Sequence, residues 1–375
     1  MISQVINLSN GKSFKLYKEK YNYSIPLHHG LYGVELRNIP EDYLNHPFKD
    51  KSDNIFCTTD EILLTGSIKE IINITQFLKF NESLNSQIIK AIKNFEQSEL
   101  LRFDMGKRKF DFKFAYIMGI LNVTPDSFSD GGRYIDKEKA VNHALEMIEV
   151  GVDIIDIGGE STRPGSEQVS ETDELKRVIP VISEILKRKP EAILSIDTTK
   201  ANVAKEALKY GVLIVNDISG GTFEPEIFNV VREFNAAIVL MHIKGKPKTM
   251  QSSPVYSDVV SEVYNYLAIQ SGIASSLGIR KIIIDPGIGF GKRTEDNLGL
   301  IERLEDFKSL GFPIMMGLSR KSFIGNILNL PVEERDDATN ALNSFSLCKG
   351  ARIIRSHNVI QAVQTCKLFN SLIKD

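Results

Sequence analysis

From residue 115 to its end the chain repeats one pattern: a short apolar run, a polar or glycine-containing turn, then an amphipathic stretch of helical length. The runs are YIMGILNV (116–123), VDIIDIG (152–158), AILSIDT (192–198), LIVNDI (213–218), AAIVLMH (236–242), IIIDPG (282–287), PIMMGLS (313–319) and ARIIRSH (351–357). Their apolar character is continuous rather than alternating, as strands covered on both faces require, and such strands belong to parallel sheets clad in helices. The intervening stretches include DKEKAVNHALEMIEV, TDELKRVIPVISEILKR, TKANVAKEALKY and TEDNLGLIERLEDFKSL, several opened by a Thr or Asp able to cap a helix. Eight such units in about 260 residues predict a (β/α)8 TIM barrel. A doubly wound open sheet would show fewer strands and a Gly-rich phosphate loop after the first, and no such loop stands there.

Residues 1–113 lack this rhythm and are read as a separate, smaller N-terminal α/β region, with the barrel over 114–375. TDEILLTGSIKEIINITQFLKF predicts a strand and a helix, and SLNSQIIKAIKNFEQSELL a second helix. LLRFDMGKRKFDF predicts a β-hairpin turning at Met105-Gly106 and closing the barrel's bottom.

Charge narrows the partners. The chain carries 46 basic and 48 acidic residues in scattered order, so it offers no basic field for nucleic acid or an anionic membrane, and small molecules are the expected partners. No signal-peptide pattern opens the sequence and no apolar run is long enough to span a bilayer, which predicts a cytoplasmic protein. Cys57, Cys348 and Cys366 are odd in number and widely spaced, without a CxxC pair, and are read as ordinary thiols of a reducing compartment.

A barrel of this kind builds its site from the C-terminal ends of its strands and the loops that follow. Those positions carry Asn122, Asp156, Asp197, Asn216, His242, Asp285, Ser319, Arg355 and His357. Helix capping explains Asp156 or Asn216 alone as well as function does, but it does not explain the whole set. Asp156, Asp197, Asn216, Asp285 and Lys321 suit a flat heterocycle whose edge mixes ring N–H and amino donors with carbonyl acceptors, as a pterin or purine edge does. Arg163, Arg355 and His357 suit a phosphate or pyrophosphate. Asn122 and the carboxylates of the first loop offer hard oxygens suited to Mg2+ shared with substrate phosphates, whereas a strand-end histidine without another His or Cys at ligand spacing argues against zinc. DPGIGFGK (285–292) matches neither GxGxxG nor a Walker loop; a tight turn and a ligand contact account for it equally well.

Over about residues 115–375 the sequence resembles the dihydropteroate synthases, in ILNVTPDSFSDGG, GGESTRPG, SIDT, NDISGG, DPGIGFGK, GLSRKSFIG and RSHNV. The resemblance implies condensation of 6-hydroxymethyl-7,8-dihydropterin pyrophosphate with p-aminobenzoate, releasing pyrophosphate, with Mg2+ as cofactor and two loops closing over the site. It implies that Asp156, Asp197, Asn216, Asp285 and Lys321 bind the pterin, that Phe290 is among the substrate-binding residues, and that Arg355 and His357, with Asn122 through Mg2+, hold the pyrophosphate. Thr162, Arg163, Pro164, Phe128, Lys321 and Ser322 would shape the p-aminobenzoate pocket, and Asp130 would stabilise the pterin cation left when pyrophosphate departs. A homodimer through late barrel helices is also implied.

Three departures stand out: Ile243 where the family commonly has Met, Ile288 where Phe is frequent, and Asn358 where Asp is common, the last near enough to His357 to alter how it is held. No insertion of the kind that marks drug-insensitive relatives interrupts Ser319–Ser322, so sulfonamide sensitivity is expected. Many members of the family lack residues 1–113, for which a structural or oligomerisation role is the expectation. Two rival readings are a pterin-binding methyltransferase barrel, against which SRKS, Arg355-x-His357 and the first loop count, and a non-catalytic pterin-binding protein, against which the intact polar rim counts.

Overall fold

A computed structural model describes residues 1–23, 25–39, 53–77, 82–124, 133–161 and 166–374. Near the N-terminus, β1 (Ile2–Asn7), β2 (Tyr32–Arg37), β3 (Ile55–Cys57) and β4 (Ile62–Gly66) form an antiparallel sheet in the order β1-β2-β4-β3. Successive side chains on a strand point to opposite faces, and neighbouring leucines separate accordingly. Leu64 joins Val5, Val34, Leu36, Ile71, Leu84, Ile88 and Ile92 in one core, while Leu63 joins Ile6, Leu8, Tyr17 and Tyr21 in another. Helices Ile68–Phe77 and Glu82–Glu96 supply the first core, and helix Gly11–Tyr21 the second. The predicted strand and two helices of this region are therefore present.

Its extent differs from the expected 1–113. Residues 1–99 form one unit together with 303–312, and residues 100–302 and 313–375 form the other. The sequence pattern runs TEDNLGLIERLEDFKSL together as one helix, but the α-helix stops at Glu302 and a 3-10 helix, Leu304–Leu310, follows. That short helix is held by long-range polar contacts within the first unit. The Val5 N–H donates to Ser309 Oγ (3.2 Å), the Asn7 N–H to Asp306 Oδ1 (3.3 Å) and Asn94 Nδ2 to the Ser309 carbonyl (3.2 Å). Such pairings join residues about 200 to 300 positions apart, which no local pattern encodes.

The second unit begins with a hairpin, β5 (Arg102–Met105) and β6 (Arg108–Asp111). Met105 pairs with Arg108, so the turn is Gly106-Lys107, one residue later than expected, because Gly106 supplies the left-handed φ of +60°. The barrel follows as β7 (Tyr116–Asn122), β8 (Ile154–Gly158), β9 (Leu194–Asp197), β10 (Ile214–Asp217), β11 (Ala237–Met241), β12 (Ile282–Asp285), β13 (Ile314–Met316) and β14 (Ala351–Ser356). All eight are parallel, and β14 closes onto β7 with Ile353 opposite Tyr116 and Ser356 opposite Gly119. This is the predicted TIM barrel. Phe110 and Phe112 from the hairpin pack with Tyr116, Met118, Ile154, Ile214, Ile283 and Ile353, so the hairpin plugs the end opposite the strand C-termini, as expected. The ring centroids of Phe110 and Tyr116 lie 4.6 Å apart.

Candidate active site

Strand register decides which polar groups meet. Asp156 lies beside Ile120 of β7 and Ser195 of β9, and two residues further along β9 Asp197 lies between Gly158 and Asn216. Asp285, last residue of β12, pairs with Met241. All four polar side chains are buried, Asp156 completely. Buried carboxylates need a cation or donors, and both arrive from other strands. Arg355 of β14 reaches across the barrel mouth, its Nε donating to Asp156 Oδ2 (2.7 Å) and its Nη2 to Asp197 Oδ2 (2.6 Å). Asn216 Nδ2 donates to the same Asp156 Oδ2 (2.9 Å). Arg355, read from the sequence with the anion half, thus bonds two of the carboxylates read with the pterin half.

Asp156 Oδ2 is doubly satisfied, whereas Asp156 Oδ1 is buried with no partner among the described residues. An orphaned buried acceptor costs about 1–3 kcal/mol, which a ring N–H or amino donor would relieve. The adjoining pocket is lined by Asp197, Asn216, Asp285, Phe290, Lys321 and Arg355, with Ile218, Met241, Ile288, Met315 and Gly317 as its apolar and backbone walls. A few convergent polar groups on an apolar wall suit a flat heterocycle. Lys321 Nζ stands 4.1 Å from the centroid of the Phe290 ring, a cation over an aromatic face.

Burial dominates the titration of these groups. It pushes Asp197 up to about 7 despite Arg355 beside it, and it raises Asp285 against the Gly287 N–H and Lys321. It lowers Lys321 to about 8, with Asp285 opposing. Each group sits where a bound ligand's charge can tip its protonation.

Behind the Phe290 wall is a residue the sequence reading did not single out. Lys292 is 3% exposed, and its ammonium lies 2.9 Å from Nδ1 of His242 while donating to the carbonyls of Gly287 (2.8 Å), Phe290 (3.1 Å) and His242 (3.3 Å). Burial first, and Lys292 second, drive His242 down to about 2, so its ring is neutral and serves as an acceptor. His242, counted among the rim residues from its strand-end position, is absent from the pocket lining. The only sequence signal for Lys292 was its place at the end of DPGIGFGK.

The remaining predicted residues divide. Asn122 ends β7, half-buried and paired in register with Gly158, one strand away from Asp197. His357 is held by Ser319, whose Oγ accepts the His357 N–H (3.1 Å) and lies 2.9 Å from its Nδ1. Asn358 does not bond that ring: its side chain accepts from the Gln361 N–H (3.3 Å) and donates to Asp336 Oδ2 (3.0 Å), and Asp336 also pairs with Arg320 through both oxygens at 2.7 Å. Ser322, the exposed first residue of helix Ser322–Leu328, is not among the residues lining the pocket, although Lys321, the N-cap of the same helix, is. Phe128, Asp130, Thr162, Arg163 and Pro164 lie outside the described residues. Among the described residues there is no cluster of three or more His, Cys, Asp or Glu side chains able to hold a metal, and no helix is long and apolar enough to cross a membrane.

This geometry agrees with comparisons to known proteins. Residues 118–357 match the family model for pterin binding enzymes. The chain is 47% identical over 273 residues to the dihydropteroate synthase of Synechocystis sp., covering 72% of this chain and 92% of that protein. It is also 47% identical over 259 residues to that of Bacillus subtilis, covering 68% and 88%. Among solved structures, the Xanthomonas albilineans dihydropteroate synthase with 4-aminobenzoic acid superposes with a TM-score of 0.68 at 38% identity, over 72% of this chain and 97% of that one. The same enzyme in complex with 7,8-dihydropteroate gives 0.65 at 36%, over 72% and 98%. A closed eight-stranded barrel, a buried Asp-Asn-Arg constellation at its mouth and a match across almost the whole barrel place this chain in the dihydropteroate synthase family of pterin-binding enzymes.

Proposed function

We propose that this chain condenses 6-hydroxymethyl-7,8-dihydropterin pyrophosphate with p-aminobenzoate to 7,8-dihydropteroate and pyrophosphate, the transferase step of folate biosynthesis. The observation that carries the reading is the half-satisfied Asp156: one carboxylate oxygen is saturated by Arg355 and Asn216, and the other is buried with no partner among the described residues, a need that a ligand donor would meet. A pterin edge supplies adjacent ring N–H and amino donors, and its carbonyl side suits Lys321. Phe290 and Met241 would cover its faces.

Loss of pyrophosphate leaves positive charge on the pterin, which Asp197 and Asp285 of the pocket lining would stabilise, with Asp156 joined to Asp197 through Arg355. Arg355 and His357 would hold the leaving group's negative charge. The aryl amine then attacks the cation, so the site needs neither a strong base nor a nucleophile. By the family resemblance Phe128, Asp130, Thr162, Arg163, Pro164 and Ser322 complete the p-aminobenzoate side, and water exclusion by their loops protects the cation from hydrolysis. Mg2+ fits the donor set as a metal held chiefly by substrate phosphates, with Asn122 as the protein oxygen, since the described residues provide no carboxylate cage of their own. That ion would supply charge neutralisation for pyrophosphate. A homodimer and a cytoplasmic location complete the reading.

The test is pyrophosphate release by the purified protein with Mg2+, with and without p-aminobenzoate. Release that requires p-aminobenzoate supports the synthase reaction, and pterin binding without release refutes it in favour of a methyltransferase or binding role. A sulfonamide should compete with p-aminobenzoate, raising its apparent KM; an assay unaffected by the drug contradicts this.

A further inference from the structure

We infer that Lys292 is a positioning residue for the pterin wall of the pocket: its buried ammonium gathers the 287–290 loop onto His242 and so fixes Phe290 against Lys321. The inference rests on the dihydropteroate synthase reading for the identity of the ligand. Its evidence is geometric.

Lys292 has four polar neighbours within hydrogen-bond range, three backbone carbonyls and the Nδ1 of His242, and none is a carboxylate. Its nitrogen, which burial lowers to about 7, is here the hub of a loop rather than half of an ion pair. Because Nδ1 accepts from it, the ring proton of His242 is assigned to Nε2, and the ring lies edge to face with Tyr266, centroids 4.9 Å apart at 87°.

The loop itself is built to lie flush on the segment that follows β11. Gly287 and Gly291 have φ of +72° and +62°, and a Cβ on them would fall 2.0 Å from the His242 carbonyl oxygen and 2.4 Å from that of Lys244. With the backbone pressed this close, the loop's carbonyls turn inward, and Lys292 satisfies two of them. Gly289, between those two, leaves room for the Lys321 stem, whose Cδ would sit 3.0 Å from a Cβ there. From outside, Asn297 accepts the Gly289 N–H and Gln251 donates to the Gly289 carbonyl, both at 2.7 Å. The loop is therefore clamped on both sides. Phe290 carries the consequence: its carbonyl is fixed by Lys292 and its ring lies under the Lys321 ammonium. Removing the Lys292 ammonium frees three carbonyls and one imidazole nitrogen together and loosens that ring.

The experiment compares wild type with Lys292→Met and Lys292→Gln, the latter keeping two N–H donors without the charge. Dissociation of fluorescent 6-hydroxymethylpterin and the two KM values are measured for each. Lys292→Met should weaken pterin binding and raise the KM for the pterin pyrophosphate at least tenfold, leaving the KM for p-aminobenzoate within twofold, and Lys292→Gln should recover part of the loss. A merely structural lysine would move both KM values together. A folded Lys292→Met with pterin affinity within twofold of wild type, or with both KM values raised equally, overturns the inference. Nitrogen-15 NMR of the wild-type histidines decides the matter if both variants fail to fold: His242 should show a protonated Nε2 and an unprotonated, hydrogen-bonded Nδ1 without titrating down to about pH 5. A proton on Nδ1, or titration near the ordinary histidine value, overturns the inference. Failure of the synthase reading itself shows separately, as wild-type protein that binds the pterin but releases no pyrophosphate.

Discussion

Arg355→Ala tests the centre of the site, because Arg355 is the cation for two buried carboxylates at once. Removing one partner of a buried ion pair costs roughly 3–5 kcal/mol. Two features reduce the figure here: the arginine side chain is 20% exposed, and Asp197 already titrates at about 7, so it can take up a proton when its partner is gone. We expect a loss of about 2–3 kcal/mol at neutral pH, read as a fall of about 5 °C in melting temperature.

The pH dependence follows from the same group. A carboxyl whose folded-state value is raised from 3.8 to about 7 binds its proton more tightly when folded, so it subtracts stability as pH climbs across that interval and adds no further loss above it. Arg355 holds the upper limit down, and without it the limit moves up. The stability gap between variant and wild type should therefore widen above pH 7 and narrow toward pH 5. Pyrophosphate release should slow by about 10²–10³-fold, as for loss of one preorganised charge-stabilising group. Thermal melts across pH 5–9 and the release assay test both halves. A melting difference that does not vary with pH, together with a release rate within threefold of wild type, would refute the assignment of Arg355 to both carboxylates and the leaving group.

Three further outcomes are expected. Gly287→Ala should destabilise by at least about 2 kcal/mol more than Gly289→Ala in urea unfolding, since the first places a Cβ 2.0 Å from a backbone oxygen and the second meets only the flexible Lys321 stem. Lys321, lowered to about 8 by burial, loses its charge above that pH, so pterin affinity should fall from about pH 8 upward in the wild type and stay level in Lys321→Met; equal profiles would count against the role. A chain beginning at residue 100 should expose Leu304 and Phe307, both fully buried in the complete chain, and show lower solubility and a lower melting temperature; an unchanged melt would mean 303–312 does not depend on residues 1–99.

Much of the barrel and its rim is determined by the sequence alone, because both rest on short-range rules. A strand buried on both faces must be continuously apolar, so all eight runs announce themselves, and the end of each run marks where Asp156, Asp197, Asn216, Asp285 and Arg355 emerge. The resemblance motifs add what those residues bind. The hairpin plug is also legible, through Gly106 and the aromatic residues beside it. What only the tertiary structure decides is how these residues are partnered. Arg355 meets Asp156 and Asp197 across 199 and 158 positions of chain, a pairing that residue type alone did not indicate. Lys292 reads as an ordinary lysine after a glycine turn until the fold buries it on His242, 50 positions away. The segment 303–312 continues a helical pattern in sequence yet belongs to the N-terminal unit, where Ser309 bonds Val5 of β1 and Asn94 of helix Glu82–Glu96. Local pattern encodes secondary structure and facing; the pairing of buried charges depends on distances that exist only once the barrel has closed.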